Sequence, residues 1–474
     1  MTIDLPATYR DIREVYLSNT MPWVIGYSGG KDSTATLQLV WLALRDLPRD
    51  QLTKPIFVIA TDTLVETPLI VDHVNNNLGQ IGRAAREAGL PLTVHRLTPE
   101  VNDSFWVNLL GRGYPTPHSR FRWCTERMKI KPADSFILGT VAKHGDVVLV
   151  LGQRHSESTS RAQVMDEYRI TGSRLSRHST LPRAYVYTPI DTFSTDDVWS
   201  YLLSVPSPWG GNNRDLASLY RSAQSGECPL VVDLSTPSCG NSRFGCWVCT
   251  VVERDRSMEA LIDNGEEWMA PMLEFRDFLA ATQQPERRAE VRDYRRRDGQ
   301  VHYRKRGQGE LLIRGPYKLE FRQDLLARLL DVQNQVRRDG PDPQYELISP
   351  AELYAIRRLW RAEAQDWEDS VKRIYRDVTH SDLPWPEDDG AIFGEAERAL
   401  LAQICAEEDL PVGLMIALIE SQHQATAGLG GRAATHARID AALHSDWRSE
   451  ADVVASVERH HQLVEAQASG INRA

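Results

Sequence analysis

Four short apolar runs punctuate the first half of the chain: WVIGYS from Trp23, PIFVIATDT from Pro55, PLTVHRLTP from Pro91 and DVVLVLGQR from Asp146. Each is a short run rich in β-branched and apolar residues that ends in polar ones, which fits a buried strand fed by a crossover helix. Between them lie segments of helical period, such as ATLQLVWLAL. The pattern predicts an α/β fold with a doubly wound parallel sheet. In such sheets ligands gather beyond the carboxyl ends of the strands, where YSGGKDS, Asp62 and GQR all fall.

Further along, the segment from Arg161 to Pro189 turns basic, with Arg174, Arg177, His178 and Arg183, and reads as a loop over that site. DTFSTDDVWSYLL then starts a capped helix. SVPSPWGGNN breaks regular structure. Beyond it a cysteine-rich stretch gives way to helical periodicity alone, in EEWMAPMLEFRDFLAA, KLEFRQDLLARLLDVQNQVRR, PAELYAIRRLWRAEAQDW and the residues from Gly394 onward. Three regions are expected: an α/β domain over 1–225, a cysteine-rich region over 226–258 and a mainly helical domain over 259–474.

Length supports this division, since 474 residues exceed the usual single core. The N-terminal MTIDLPATYR lacks the basic and apolar regions of a signal peptide, and no uncharged apolar run is long enough to span a membrane, so the cytoplasm is the expected location. A net charge of −10 excludes indiscriminate coating of nucleic acid and confines any such contact to a patch. Between Arg287 and Arg322 there are twelve lysines and arginines against five acidic residues, interleaved with Tyr294, Tyr303, Tyr317 and Phe321. That stretch is either a solvated face or the chain's best candidate for a DNA-backbone contact.

The candidate chemistry starts at residues 28–33. Paired glycines and serines between a strand and a helix let backbone N–H groups approach an anion without Cβ atoms in the way. The spacing differs from the Walker loop, because Lys31 follows Gly29 and Gly30 directly. Six cysteines in a long chain of this kind do not suggest disulfides, and four of them fall in ECPLVVDLSTPSCGNSRFGCWVC. Cys228, Cys239, Cys246 and Cys249 suit one tetranuclear iron cluster or one structural zinc ion. Cys124 in WCTERMKIKP stands beside Lys129, whose charge is expected to lower its pKa. It reads as a cluster ligand in place of Cys228, a sulfur carrier or a buried small side chain. Cys405 reads as core.

Ser28, Gly29, Gly30, Lys31, Asp32 and Ser33 resemble the SGGxDS pyrophosphate loop of the ATP pyrophosphatases, which split ATP between its α and β phosphates. The resemblance implies ATP as substrate, with magnesium, and places Asp62 and Thr63 where that family contacts adenosine and often a metal. GQRHSESTSRAQV is similar to the G-x-R-x-x-E-S-x-x-R stretch of the phosphoadenosine-phosphosulfate (PAPS) reductase branch, which makes Arg154 and Arg161 candidate phosphate clamps. WCTERMKIKP matches that branch's C-C-x-x-x-K-x-x-P segment except for Thr125, where the second cysteine would be.

Taken together with GSRLSRHSTLPR and PSCGNSRFGCWVCT, these motifs resemble the DndC family, the PAPS-reductase-like component of bacterial DNA phosphorothioation, over residues 15–260. The resemblance implies an iron–sulfur enzyme that adenylates a DNA backbone phosphate for replacement of a non-bridging oxygen by sulfur. Lys31, Asp32, Arg154 and Cys124 would be its catalytic residues. DNA, a cysteine desulfurase and DndD- and DndE-like proteins would be its partners. The alternatives are an assimilatory PAPS or adenylylsulfate reductase, a tRNA thiolase, and a non-catalytic metal-stabilised DNA-binding scaffold.

Overall fold

The computed structural model describes residues 3–157, 159–222, 245–306, 309–386, 395–426, 432–456 and 459. A six-stranded sheet is built from β1 (Trp23–Gly26), β2 (Ile56–Thr61), β3 (Leu92–Leu97), β4 (Val147–Val150), β5 (Ser176–Arg177) and β6 (Ala184–Tyr187), in the order β3-β2-β1-β4-β6-β5. All pairs are parallel except β5 with β6. The order runs outward from β1 in both directions, which puts the switch point between β1 and β4.

Both faces of the sheet are covered, as the unbroken apolar runs predict. Trp23, Ile25, Val58, Val148 and Val150 join one core with α1 (Leu5–Leu17), α2 (Lys31–Arg45) and α3 (Pro68–Ala88). Val24, Ile59, Val147 and Leu149 join a second core with Ala133 and Ile137 of the helix Lys131–His144. The two-residue period of a strand divides each run between the two cores. The expected capped helix is Thr195–Ser204, closed by a reciprocal capping box between Ser194 and Asp197.

The basic segment is not a loop over the site. It supplies β5, the antiparallel edge strand, and its arginines serve local pairs: Arg174 with Asp11 and Arg183 with Asp146. His178 accepts from the backbone N–H groups of Thr180 and Leu181 at 3.2 and 3.1 Å and so closes its own turn. Short edge strands with charged side chains are a common end to a sheet.

The chain forms two compact units. One comprises Met1–Phe105, Pro117–Asp277 and Gln335–Leu347; the other comprises Trp106–Thr116, Phe278–Asn334 and Ile348–Ala474. The second contains the helices Pro350–Glu363, Ser370–Thr379, Glu395–Glu407, Val412–Thr426 and Arg432–His444, with an antiparallel hairpin of His302–Arg306 and Gly309–Ile313. Its core includes Leu326, Leu329, Ile356 and Trp360. The Trp360 indole N–H donates to the Leu110 carbonyl at 2.7 Å, which ties the Trp106–Thr116 segment into that core. No helix among the described residues is long and apolar enough to cross a membrane.

Candidate functional site

β1 delivers the chain into residues 27–30, and α2 begins at Lys31 with Gly30 as its extended N-cap. The macrodipole and the first N–H groups of α2 therefore point at the loop. Gly29 has φ +73°, and a Cβ there would lie 2.7 Å from Val74 Cγ2, so the position needs glycine on both counts. The loop is pinned by hydroxyls. Ser28 N–H donates to Ser33 Oγ at 3.2 Å, Gly30 N–H to Ser28 Oγ at 3.4 Å and Lys31 N–H to Tyr220 Oη at 3.2 Å.

Asp32 bridges two buried cations. Lys31 Nζ donates to Asp32 Oδ2 at 2.8 Å and Arg154 Nε donates to Asp32 Oδ1 at 2.8 Å, with the two cationic side chains only 2% and 1% exposed. Arg154 also donates to Ser156 Oγ and Thr195 Oγ1, at 3.1 and 3.2 Å. It is thus a buried strut across the switch point. Gly152 allows the approach, because a Cβ there would stand 2.8 Å from the Asp32 carbonyl. Arg161 lies on the helix Thr159–Glu167, and its side chain is outside the described residues.

Next to the loop opens a narrow cleft of about 60 Å3, with Tyr27, Ser28, Gly29, Asp62, Glu66, His73, Arg96, Lys129 and Tyr220 among its walls. Asp62 faces it but is engaged. Its Oδ2 accepts from both Nε and Nη2 of Arg96, and its Oδ1 accepts from Leu64 N–H at 2.8 Å, supporting Leu64 at φ +64°. Burial pushes the Tyr27 hydroxyl up to about 12 and holds His73 below its ordinary value. Thr63 is fully buried and does not line the cleft; its hydroxyl meets Cys246 Sγ at 3.3 Å.

That contact shows where the cysteine loop sits. Thr67 N–H and Oγ1 donate to the Gly245 carbonyl, each at 3.0 Å, Trp247 N–H donates to the Val65 carbonyl at 3.0 Å, and Glu66 pairs with Cys246 in an antiparallel bridge. Residues 245–247 are thereby fixed against the segment that leaves β2. Cys249 N–H donates to the Cys246 carbonyl at 3.1 Å in a tight turn. Arg276, fully buried, secures the far side by donating to the carbonyls of Cys249 and Glu253, both at 2.9 Å, and of Val252.

Cys124 joins this group, since its thiol interacts electrostatically with Cys249 and Lys129. The expected lowering of its pKa is corrected by the geometry. Burial comes first and Cys249 second, and together they outweigh Lys129, pushing the thiol up to about 11. Burial pushes Cys246 up to about 12. Cys228 and Cys239 lie outside the described residues. Among the described residues no three His, Cys, Asp or Glu side chains close on one point as a metal cage. Cys124, Cys246 and Cys249 are half-buried thiols, soft donors whose chemistry suits a soft metal or an iron–sulfur cluster that replaces their protons. Cys405 is buried core, as expected.

Residues 22–252 match the phosphoadenosine phosphosulfate reductase domain family. The chain therefore carries a PAPS reductase-like domain. The chain is 26% identical, over 242 residues, to an uncharacterized protein of Methanocaldococcus jannaschii, a match covering 51% of this chain and 39% of that protein's length. Among solved structures, PAPS reductase from Candida auris aligns at 13% identity over 42% of this chain and 81% of its own, with a TM-score of 0.28. The U34-tRNA thiolase NcsA from Methanococcus maripaludis with its 4Fe-4S cluster aligns at 12% identity over 59% and 79%, with a TM-score of 0.28. FMN adenylyltransferase from Candida glabrata aligns at 14% identity over 42% and 55%, with a TM-score of 0.25.

Of the residues that sequence reasoning named, Ser28, Gly29, Gly30 and Asp62 line the cleft, Lys31, Asp32 and Ser33 line a smaller hollow on the other side of the loop, and Arg154 is joined to the loop through Asp32. It missed Tyr220, Arg96 and Arg276, whose partners are 189, 34 and 27 residues away in the chain. The one available signal was the arginine in MLEFRDFLAA, an isolated charge on the apolar side of its helix.

Proposed function

We propose that this chain is an ATP pyrophosphatase that adenylates a DNA backbone phosphate so that sulfur can replace a non-bridging oxygen. The observation that carries this reading is the pairing of residues 245–247 with 65–67, which sets a thiol loop against the segment bordering the phosphate-loop cleft. One nucleotide-splitting loop and one sulfur-handling loop side by side suit a reaction that consumes both ATP and sulfur.

The loop N–H groups of Ser28, Gly30 and Lys31 rest on neutral hydroxyls, contacts that phosphate oxygens replace with stronger charge-assisted bonds. Lys31 and Arg154 share one carboxylate, so the triad keeps one positive charge for the β- and γ-phosphates of ATP. A non-bridging oxygen of the DNA phosphodiester attacks the α-phosphorus. The bond from that phosphorus to the α–β bridging oxygen breaks, and pyrophosphate leaves stabilised by residues 28–33. The DNA phosphorus then bears an AMP leaving group, and a sulfur nucleophile forms the P–S bond as AMP departs. Sulfide needs no reductant. A persulfide leaves an S–S bond to its donor that a thiol must reduce.

Magnesium, held by the phosphates and water with Asp62 on the cleft wall, would neutralise charge. An iron–sulfur cluster held by Cys124, Cys246 and Cys249, or by the four cysteines from Cys228 to Cys249, supplies Lewis-acidic iron or electrons when bound. The matching partners are DNA, a cysteine desulfurase and DndD- and DndE-like proteins. With magnesium, DNA and sulfide, the purified protein should convert ATP to AMP and pyrophosphate, and Lys31→Ala should lower the rate about a hundredfold or more. Unchanged turnover in Lys31→Ala defeats the assignment. Sulfite from PAPS would indicate a reductase, and labelled tRNA a thiolase.

A further inference from the structure

We infer that an arginine-lined cleft in the second unit is a docking groove for the phosphate backbone of DNA. The inference rests on the DNA reading above for its choice of polymer. The cleft holds about 980 Å3, the upper end of the range for small-molecule pockets. Those pockets are mainly apolar, whereas this one is walled by Arg112, Arg295, Arg296, Arg297, Lys318 and Arg322. Four carboxylates face them: Asp293, Glu320, Glu363 and Glu450. Six cations against four anions is a local reversal of sign in a chain of net charge −10.

Two features separate this wall from a solvated charge run. Its arginines are held by aromatic rings: the Arg295 guanidinium lies 5.2 Å from the Tyr294 ring and 5.6 Å from Trp447, and Arg297 lies 5.2 Å from Tyr114. Contact with an aromatic ring restrains a guanidinium that can recognise phosphate as a fork. Arg322 is 8% exposed and donates from Nη1 to the carbonyls of Leu110 and Gly111 at 3.4 and 2.7 Å, yet its buried Nε has no hydrogen-bond partner. A buried guanidinium N–H left over at the wall of a cationic cleft is a donor for an incoming anion.

The pairs that now occupy the wall are exchangeable. Arg297 meets Glu363 at 3.3 Å, Arg295 meets Asp293 at 3.7 Å and Lys318 meets Glu450 at 3.6 Å, and the partners of Arg297 and Lys318 are at least one-third exposed. Ion pairs of this kind are weak and screened by salt. A phosphodiester chain offers a charge at each step and gains entropy by releasing its counterions, which isolated carboxylates do not.

The test is fluorescence anisotropy of a labelled 24-base-pair duplex with the full chain, as a function of salt, beside an RNA duplex of the same length. Arg296→Gln with Lys318→Gln should weaken DNA binding about tenfold or more at low salt and reduce the slope of log K against log salt by about 2 units. Arg296→Lys with Lys318→Arg, which keep the charges, should restore both. The rise in Tm on binding a non-hydrolysable ATP analogue with magnesium should be unchanged in either variant, which reports that the fold and the nucleotide site are intact. An unchanged affinity and slope in the double Gln variant overturns the groove, as does tighter binding of the RNA duplex. If the wild type with DNA and sulfide releases no pyrophosphate from ATP, yet the double Gln substitution weakens DNA binding, the groove stands and the enzymatic reading falls.

Discussion

Asp32→Asn removes one negative charge from between two buried cations. Lys31 and Arg154 each approach Asp32 at 2.8 Å, and neither side chain has access to water that would compensate, being 2% and 1% exposed. Leaving buried charges without their partner costs about 3–5 kcal/mol. For a unit of this size each kcal/mol is worth about 2–4 °C in Tm, so a drop of roughly 6–20 °C is expected. The amide keeps the shape of the carboxylate, so the loss is chiefly electrostatic. ATP brings the missing negative charge. A non-hydrolysable ATP analogue with magnesium should therefore raise the Tm of Asp32→Asn by more than it raises that of the wild type, although ATP cleavage falls about 10²- to 10³-fold because Lys31 and Arg154 are no longer oriented. Differential scanning fluorimetry with and without analogue, beside a pyrophosphate assay, gives both numbers. An apo Tm equal to wild type, or an analogue shift smaller than wild type, refutes the account of Asp32 as counter-charge.

Gly29→Ala places a Cβ 2.7 Å from Val74 Cγ2 at φ +73°, a strain of about 1–2 kcal/mol before any clash, and should raise KM for ATP while lowering Tm; steady-state kinetics with wild-type KM would contradict it. Arg276→Leu strips donors from the carbonyls of Cys249, Val252 and Glu253, so hydrogen exchange across residues 246–253 should accelerate and iron content fall while ATP cleavage persists. Unaltered exchange there removes Arg276 as the clamp. Lys54 is pushed down to about 8 by burial, below its unfolded value near 10.4. Between these values the unfolded chain binds the extra proton, so the wild type gains stability as pH rises through the window and Lys54→Met does not. The Tm difference of Lys54→Met minus wild type should accordingly shrink from about pH 8 to pH 10.4; a constant difference refutes the shift.

Of the first four strands, β1, β2 and β4 were legible because each is an apolar run buried on both faces, whereas LTVHRL at β3, with only Leu92 buried, was legible from its β-branched residues between turn signals. AYVY at β6 escaped notice because only two of its four residues are fully buried and it sits next to the edge. The hairpin at His302–Arg306 escaped because HYRKR is a charge run first and a strand second. In the site, residues of the SGGKDS loop were readable from local chemistry, since loop, strand and helix are contiguous. Asp32's role was not, because its second partner, Arg154, lies 122 residues away, and nothing in the sequence says that one carboxylate serves both cations. Thr63 illustrates the reverse case. Its place just after β2 suggested a ligand contact, but burial turns its hydroxyl to Cys246.

The central claim is that one chain couples ATP cleavage to sulfur entry into the DNA backbone. The direct measurement supplies the full-length protein with ATP, magnesium, DNA and an isotopically labelled sulfur donor, then digests the DNA and weighs its dinucleotides. The account predicts labelled phosphorothioate linkages, one AMP and one pyrophosphate for each sulfur gained, and none in Lys31→Ala. AMP and pyrophosphate formed with all label left outside the DNA backbone would contradict it.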